Sequence, residues 1–156
     1  MGRLTSLGES DGPVIFRGCA VPYNETSRML YDRPRPYRER FVRGALKWNE
    51  ETVMLVQHDQ RGVPLGRVAA GTLEFEESED GLHFRCNLPE SRMDIREALE
   101  RGDLDGSVSI GFQCEDDDWM HTKSASLRTV RKANLAEVSL VTAGAYRGAR
   151  GCMKES

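Results

Sequence analysis

Apolar residues recur along this chain in short alternating runs, and Gly, Pro, Asp and Asn punctuate the gaps between them. A period of two sends successive side chains to opposite faces of an extended strand, so the pattern predicts a mostly β protein built as a small barrel or sandwich. Strands are expected over residues 14–22, 53–58, 68–76, 82–88, 107–113 and 135–142, with a weaker one over 127–132. Glu79-Asp80-Gly81 reads as a hairpin turn, because Asp-Gly readily takes the positive φ such turns need.

The helical period is clearest over residues 91–101. There Ser91 stands as N-cap, Asp94 follows in the first turn, Gly102 stands as C-terminal stop, and Ile95, Ala98 and Leu99 form an apolar stripe. A second, shorter helix is expected over 41–48, weakened by Gly44. The polar stretch from Asp116-Asp117-Asp118 to Ser126 reads as a loop. Residues 1–12 and 147–156, rich in Gly, Ser and charge, read as mobile tails around a single domain with its core at about 13–146.

Composition narrows the function more than the fold. With 25 acidic against 22 basic residues the net charge is −3, which gives no electrostatic ground for a nucleic-acid partner. The arginines at 33, 35, 38, 40 and 43 form the most basic stretch, but Asp32 and Glu39 dilute it. Cys19, Cys86, Cys114 and Cys152 are scattered without a Cys-x-x-Cys pair, so free thiols in a reducing compartment are expected, with no metal site. No apolar run is long enough for a membrane span, and the first residues lack a secretory apolar segment.

Three segments carry side chains suited to acyl-transfer chemistry. His58 closes an apolar run and precedes the turn-like Asp59-Gln60-Arg61-Gly62, a position both held and open to solvent. His83 and His121 look like surface residues. In the strand over 107–113, Val108, Ile110 and Phe112 would face the core while Ser107, Ser109 and Gly111 face outward together, so strand geometry does not choose between the serines. Glu137 lies in an apolar strand and needs a partner, because a buried, unpaired carboxylate is costly. A histidine would satisfy it, as would Arg128 or Arg131. Asp59, Asp103 and Asp105 are competing carboxylates. A serine, a histidine base and an orienting carboxylate would form a triad.

The order of these motifs adds more than any one of them. Val56-Gln57-His58-Asp59 is followed by Pro64-Leu65-Gly66, then Arg101-Gly102-Asp103, then Ser107-Val108-Ser109-Ile110-Gly111-Phe112, then Leu135-Ala136-Glu137-Val138-Ser139-Leu140-Val141-Thr142. With Phe16-Arg17-Gly18-Cys19-Ala20, Phe41-Val42-Arg43-Gly44-Ala45-Leu46 and Ala70-Gly71-Thr72-Leu73, this succession resembles the prohead protease family of tailed bacteriophages over residues 14–146. The chain departs from the family at Ala143-Gly144-Ala145-Tyr146, where Phe-Pro-Ala-Tyr is usual.

The resemblance implies a herpesvirus-assemblin-like fold, a small closed or partly open antiparallel β-barrel flanked by a few helices. It implies a serine endopeptidase with Ser109 as nucleophile, chosen over Ser107 by its spacing to Gly111-Phe112, His58 as base and Glu137 as the acidic member. Its substrates would be the major capsid and scaffold proteins, and itself, inside the immature prohead in the host bacterial cytoplasm. No metal or organic cofactor is required, a homodimer is compatible with the likeness, and neither nucleic acid nor membrane is implied. The rival is a catalytically silent β-barrel that binds capsid or scaffold protein as an assembly factor.

Overall fold

The computed structural model describes residues 13–155; the expected N-terminal tail, residues 1–12, lies outside them. Along the chain stand β1 Val14–Pro22, β2 Tyr37–Phe41, β3 Leu46–Lys47, β4 Val53–Val56, β5 Gly66–Arg67, β6 Leu73–Glu77, β7 Gly81–Leu88, α1 Met93–Arg101, β8 Val108–His121, β9 Ser126–Leu140 and β10 Gly151–Glu155. The protein is mostly β, with one α-helix among the described residues.

These strands form two sheets. The first has the order β10-β1-β7-β6 and is antiparallel throughout. Its β6–β7 turn falls where Asp80-Gly81 predicts it, but Gly81 has no positive φ. A Cβ there would meet the Val21 carbonyl oxygen at 2.6 Å, so close packing is what requires the glycine. In the second sheet, β9 carries β8 antiparallel on one edge and β2, β3 and β4, all parallel, in succession on the other. The expected antiparallel pairing is therefore corrected in this sheet, which is mixed. The three short strands are separated from β9 along the chain by β5, β6, β7, α1 and β8, and a connection of that length can return the chain in the same direction. The ladders of the two sheets meet at an isolated Ser107–Arg150 bridge.

Four local expectations change. The two strands read at 127–132 and 135–142 are one strand, β9. The loop expected from Asp116 to Ser126 shrinks to residues 122–125, because β8 runs on to His121 and β9 starts at Ser126. The acidic residues of β8 are balanced across the ladder: Arg128 binds Asp117 at 2.8 Å, and Arg131 binds Asp116 at 3.3 Å and also Asp118. Opposite charges facing across a ladder stabilise a strand that its own composition disfavours. The helix expected over 41–48 is instead the end of β2, a turn through Gly44 at φ 78°, and β3. There Ala133 donates its N–H to the Ala45 carbonyl at 2.7 Å, so β9 draws this stretch into the sheet. The strand expected over 68–76 begins only at Leu73, after a turn.

The C-terminal tail expected to be mobile is also corrected, since β10 pairs with β1 from Val14↔Glu155 to Gly18↔Gly151. Glycines make this docking feasible. A Cβ on Gly18 would lie 2.0 Å from the Arg150 carbonyl oxygen, and one on Gly106 would lie 2.4 Å from that of Gly151. A composition that suggests disorder is here what close backbone approach demands.

One apolar core serves both sheets. Phe16, Val21 and Leu82 of the first meet Phe41, Met54, Val108, Val130, Val138 and Leu140 of the second, all at 0 % exposure. Each such side chain contributes roughly 1.5–3 kcal/mol. The helix adds Ile95, with Ala98 and Leu99 beside it as its stripe predicts, although Arg92 and not Ser91 occupies the N-cap, without a side-chain cap. Anchoring Val138 and Leu140 in this core decides what the opposite face of β9 carries. The residues between and beside them, Glu137 and Ser139, are turned to the other face of β9.

Candidate active site

β4, β9 and β8 lie side by side, and each delivers one group to the same region. On β9, Glu137 pairs with Val53 of β4 on one side and Gly111 of β8 on the other, while Ser139 pairs with Leu55 and Ser109. Ser109 and Gly111 thus share a face with Ser139 and Glu137, as the alternation in 107–113 predicts. Val108 is fully buried, with Ile110 and Phe112 packed against the core.

His58 enters from the end of β4. The strand stops at Val56, and Gln57 and His58 both take left-handed backbone conformations, at φ 53° and 56°. Such a conformation costs a non-glycine residue roughly 1–2 kcal/mol. Neighbouring groups hold it: Gln57 donates its N–H to the Leu140 carbonyl at 2.8 Å, and His58 donates its N–H to Ser139 Oγ at 3.2 Å. The turn that reads as a solvent-open end in the sequence is therefore fastened to β9.

The imidazole Nδ1 of His58 hydrogen-bonds Glu137 Oε1. Glu137 is 5 % exposed, and its other oxygen accepts a hydrogen bond from Ser139 Oγ at 2.5 Å. The Glu137 partnership raises the His58 pKa above its ordinary value, and partial burial works against it. Space for the carboxylate comes from Gly111, where a Cβ would lie 2.6 Å from Glu137 Oε1. Arg128 and Arg131, the other partners open to Glu137 from sequence, are engaged with the acidic residues of β2 and β8.

The competing groups are occupied elsewhere. Asp59 accepts the Arg61 N–H at 3.0 Å, and Asp103 binds Arg101 at 3.1 Å. Asp105 accepts the Ser107 N–H at 2.9 Å, and the Ser107 hydroxyl holds the Asp105 carboxyl below its usual range. Ser107 is thus tied to its own turn. His83 pairs with Asp80 at 3.0 Å, and His121 Nδ1 lies 2.7 Å from Ser126 Oγ.

Of the three residues singled out, the fold joins His58 to Glu137 directly. It puts Ser109 opposite Ser139 on the same face, without a hydrogen bond to His58 among the described residues. Catalytic hydrogen bonds are commonly loose before substrate binds. Ser139 is the residue that sequence reading passes over. It is fully buried and bridges the His58 backbone to the Glu137 carboxylate, yet its only signal in the chain is a polar residue in an apolar strand.

Beside Ser109 lies a cavity of about 630 Å³, walled by Ile110, Phe112, Tyr37 and Ala145. Its wall also holds Glu39 and Arg128, 3.3 Å apart and nearly buried, with the Tyr146 hydroxyl donating to Glu39 at 2.9 Å. A larger open groove of about 790 Å³ crosses the outer face of the first sheet, and none of the three residues lines it.

Compared with family models, residues 4–155 match that of the caudovirus prohead serine protease. Neither the curated proteins nor the solved structures yielded a match.

Proposed function

The chain belongs to the caudovirus prohead serine protease family, a family of serine peptidases of capsid maturation, and on that premise we propose that it is an active endopeptidase with Ser109, His58 and Glu137 as its catalytic set. The observation that carries this reading is the Nδ1 bond of His58 to buried Glu137, on the strand that faces Ser109. Nδ1 bound in this way leaves Nε2 as the nitrogen that can take a proton. Ser109 Oγ attacks the peptide carbonyl, His58 accepts the hydroxyl proton and returns it to the leaving amine, and Glu137 steadies the imidazolium. Water then hydrolyses the acyl-enzyme through the same base. Backbone N–H groups would stabilise the oxyanion.

The substrates under this proposal are the major capsid and scaffold proteins, met inside the prohead in the host cell, together with the protease itself. A homodimer and an assemblin-like wrapping of the two sheets belong to the same proposal. A fluorophosphonate probe followed by peptide mapping tests the chemistry. Wild-type protein should be labelled on Ser109 and should cleave co-expressed capsid protein. Ser109→Ala should lose both, and Ser107→Ala should keep most of each. Labelling that moves to Ser107 would reassign the nucleophile. An unlabelled wild type that still binds capsid or scaffold protein would be the silent assembly factor instead.

A further inference from the structure

A second cavity, of about 680 Å³, opens beside the nucleophile's own. Ala145 lines both, and Ser107 stands in the second wall as Ser109 does in the first. Ser107 stands immediately before β8 and Ser109 is its second residue, so the two lie roughly 6.6 Å apart along the chain. A peptide presented to Ser109 therefore passes within a few residues of this second cavity.

The character of its wall sets it apart from a chain whose net charge is −3. Arg28, Arg38, Arg147 and Arg150 line it, against Glu25 alone. Glu25 is already accepting the Gly148 N–H at 3.1 Å. Arg150 is held by Asp105, through the carbonyl at 2.8 Å and the carboxylate at 3.4 Å, and Arg38 donates to the Ser27 carbonyl at 2.9 Å. The guanidinium groups of Arg28 and Arg147 have no carboxylate partner among the described residues, and both residues are exposed. Even after Asp105 is counted with Glu25, cations outnumber carboxylates around one concave surface.

We propose that this cavity is a substrate subsite for an acidic side chain, Glu or Asp, lying two or three residues from the scissile bond. Arginine suits the task because its planar fork can grip a carboxylate through two hydrogen bonds. Location favours a peptide over a polynucleotide, since the cavity continues the wall of the one that holds the proposed nucleophile. The inference rests on the protease reading in its choice of ligand, and the test separates the two.

Full-length protein is profiled with a positional-scanning peptide library in which Glu, Gln and Lys are exchanged around the cleaved bond. Binding of the same peptides to Ser109→Ala is followed by calorimetry. Glu should be preferred over Lys at one position by about ten- to a hundred-fold in kcat/KM and in binding, with the preference shrinking as salt rises. Arg28→Glu with Arg147→Glu should invert the preference, and the corresponding Gln pair should erase it. Both should leave fluorophosphonate labelling of Ser109 unchanged. A protein that is labelled but indifferent to peptide charge, or whose preference survives both arginine pairs, overturns the subsite alone. An unlabelled protein that still binds Glu peptides through Arg28 and Arg147 overturns the protease reading and leaves the subsite. An oligonucleotide that binds more tightly than any peptide, and is released by the arginine substitutions, overturns the peptide assignment.

Discussion

At the scale of single residues, the Glu137 bond to His58 is the feature with the clearest solution consequence. It holds the imidazole pKa above 6.5, its ordinary value, against the opposing effect of burial. Only neutral imidazole accepts the serine proton, so activity should rise with pH through a midpoint above 6.5. Glu137→Gln removes the cause of the upward shift. Its midpoint should move to lower pH while kcat falls by about ten- to ten-thousand-fold, the upper figure following the triad-carboxylate loss of the serine protease template. Stability runs the other way. A histidine whose folded pKa is raised contributes stability that is complete below its unfolded pKa and is lost as pH rises through the folded one. A pH–rate profile in which both proteins share one midpoint would remove Glu137 from the site. Ser139 acts through its neighbours. Ser139→Ala strands the Glu137 carboxylate oxygen and the His58 N–H, at a cost of about 1–3 kcal/mol. Steady-state kinetics should show kcat reduced by about ten-fold or more with KM little changed, and Ser139→Thr, which keeps the hydroxyl, should recover much of it. A fall in stability with unchanged kcat would make Ser139 purely structural.

Among the elements, β9 and β10 matter most. Each of the strands that delivers a site residue leans on β9, with β4 bringing His58 on one edge and β8 bringing Ser109 on the other. Residues 107–113 and 135–142 could be read as strands because their apolar alternation is strong. Their extension through Asp116-Asp117-Asp118 could not, because those charges become compatible with a strand only when Arg128 and Arg131 face them. β10 is the opposite case, a weak local signal given structure by its neighbours. It covers the outer edge of β1, and the residue before it bridges to Ser107. Deleting residues 151–156 should therefore cost about 2–3 kcal/mol and lower Tm by roughly 5–10 °C in a thermal melt. A Tm within about a degree of wild type would mean that this pairing adds nothing to stability.

Over the whole molecule, two sheets share one core, and that core fixes which face of β8 and β9 carries the candidate site. Val108, Val138 and Leu140 are excluded from water, so Ser109, Glu137 and Ser139 lie on the reverse of the same two strands. A shift of one residue in either strand would exchange the two faces. This much the chain carries by itself: period-two alternation says which residues share a face, and the order of motifs around His58, Ser109 and Glu137 says which family to look in. Both are local or ordinal properties, legible without contacts. Tertiary structure alone decided the rest. It closed parallel ladders between segments far apart in sequence and chose Glu137 over three aspartates as the partner of His58 by engaging each aspartate elsewhere. It also brought Arg28, Arg38, Arg147 and Arg150 from opposite ends of the chain to one cavity. Such pairings depend on long-range register and on which groups compete for a partner, and no segment of sequence carries that information alone.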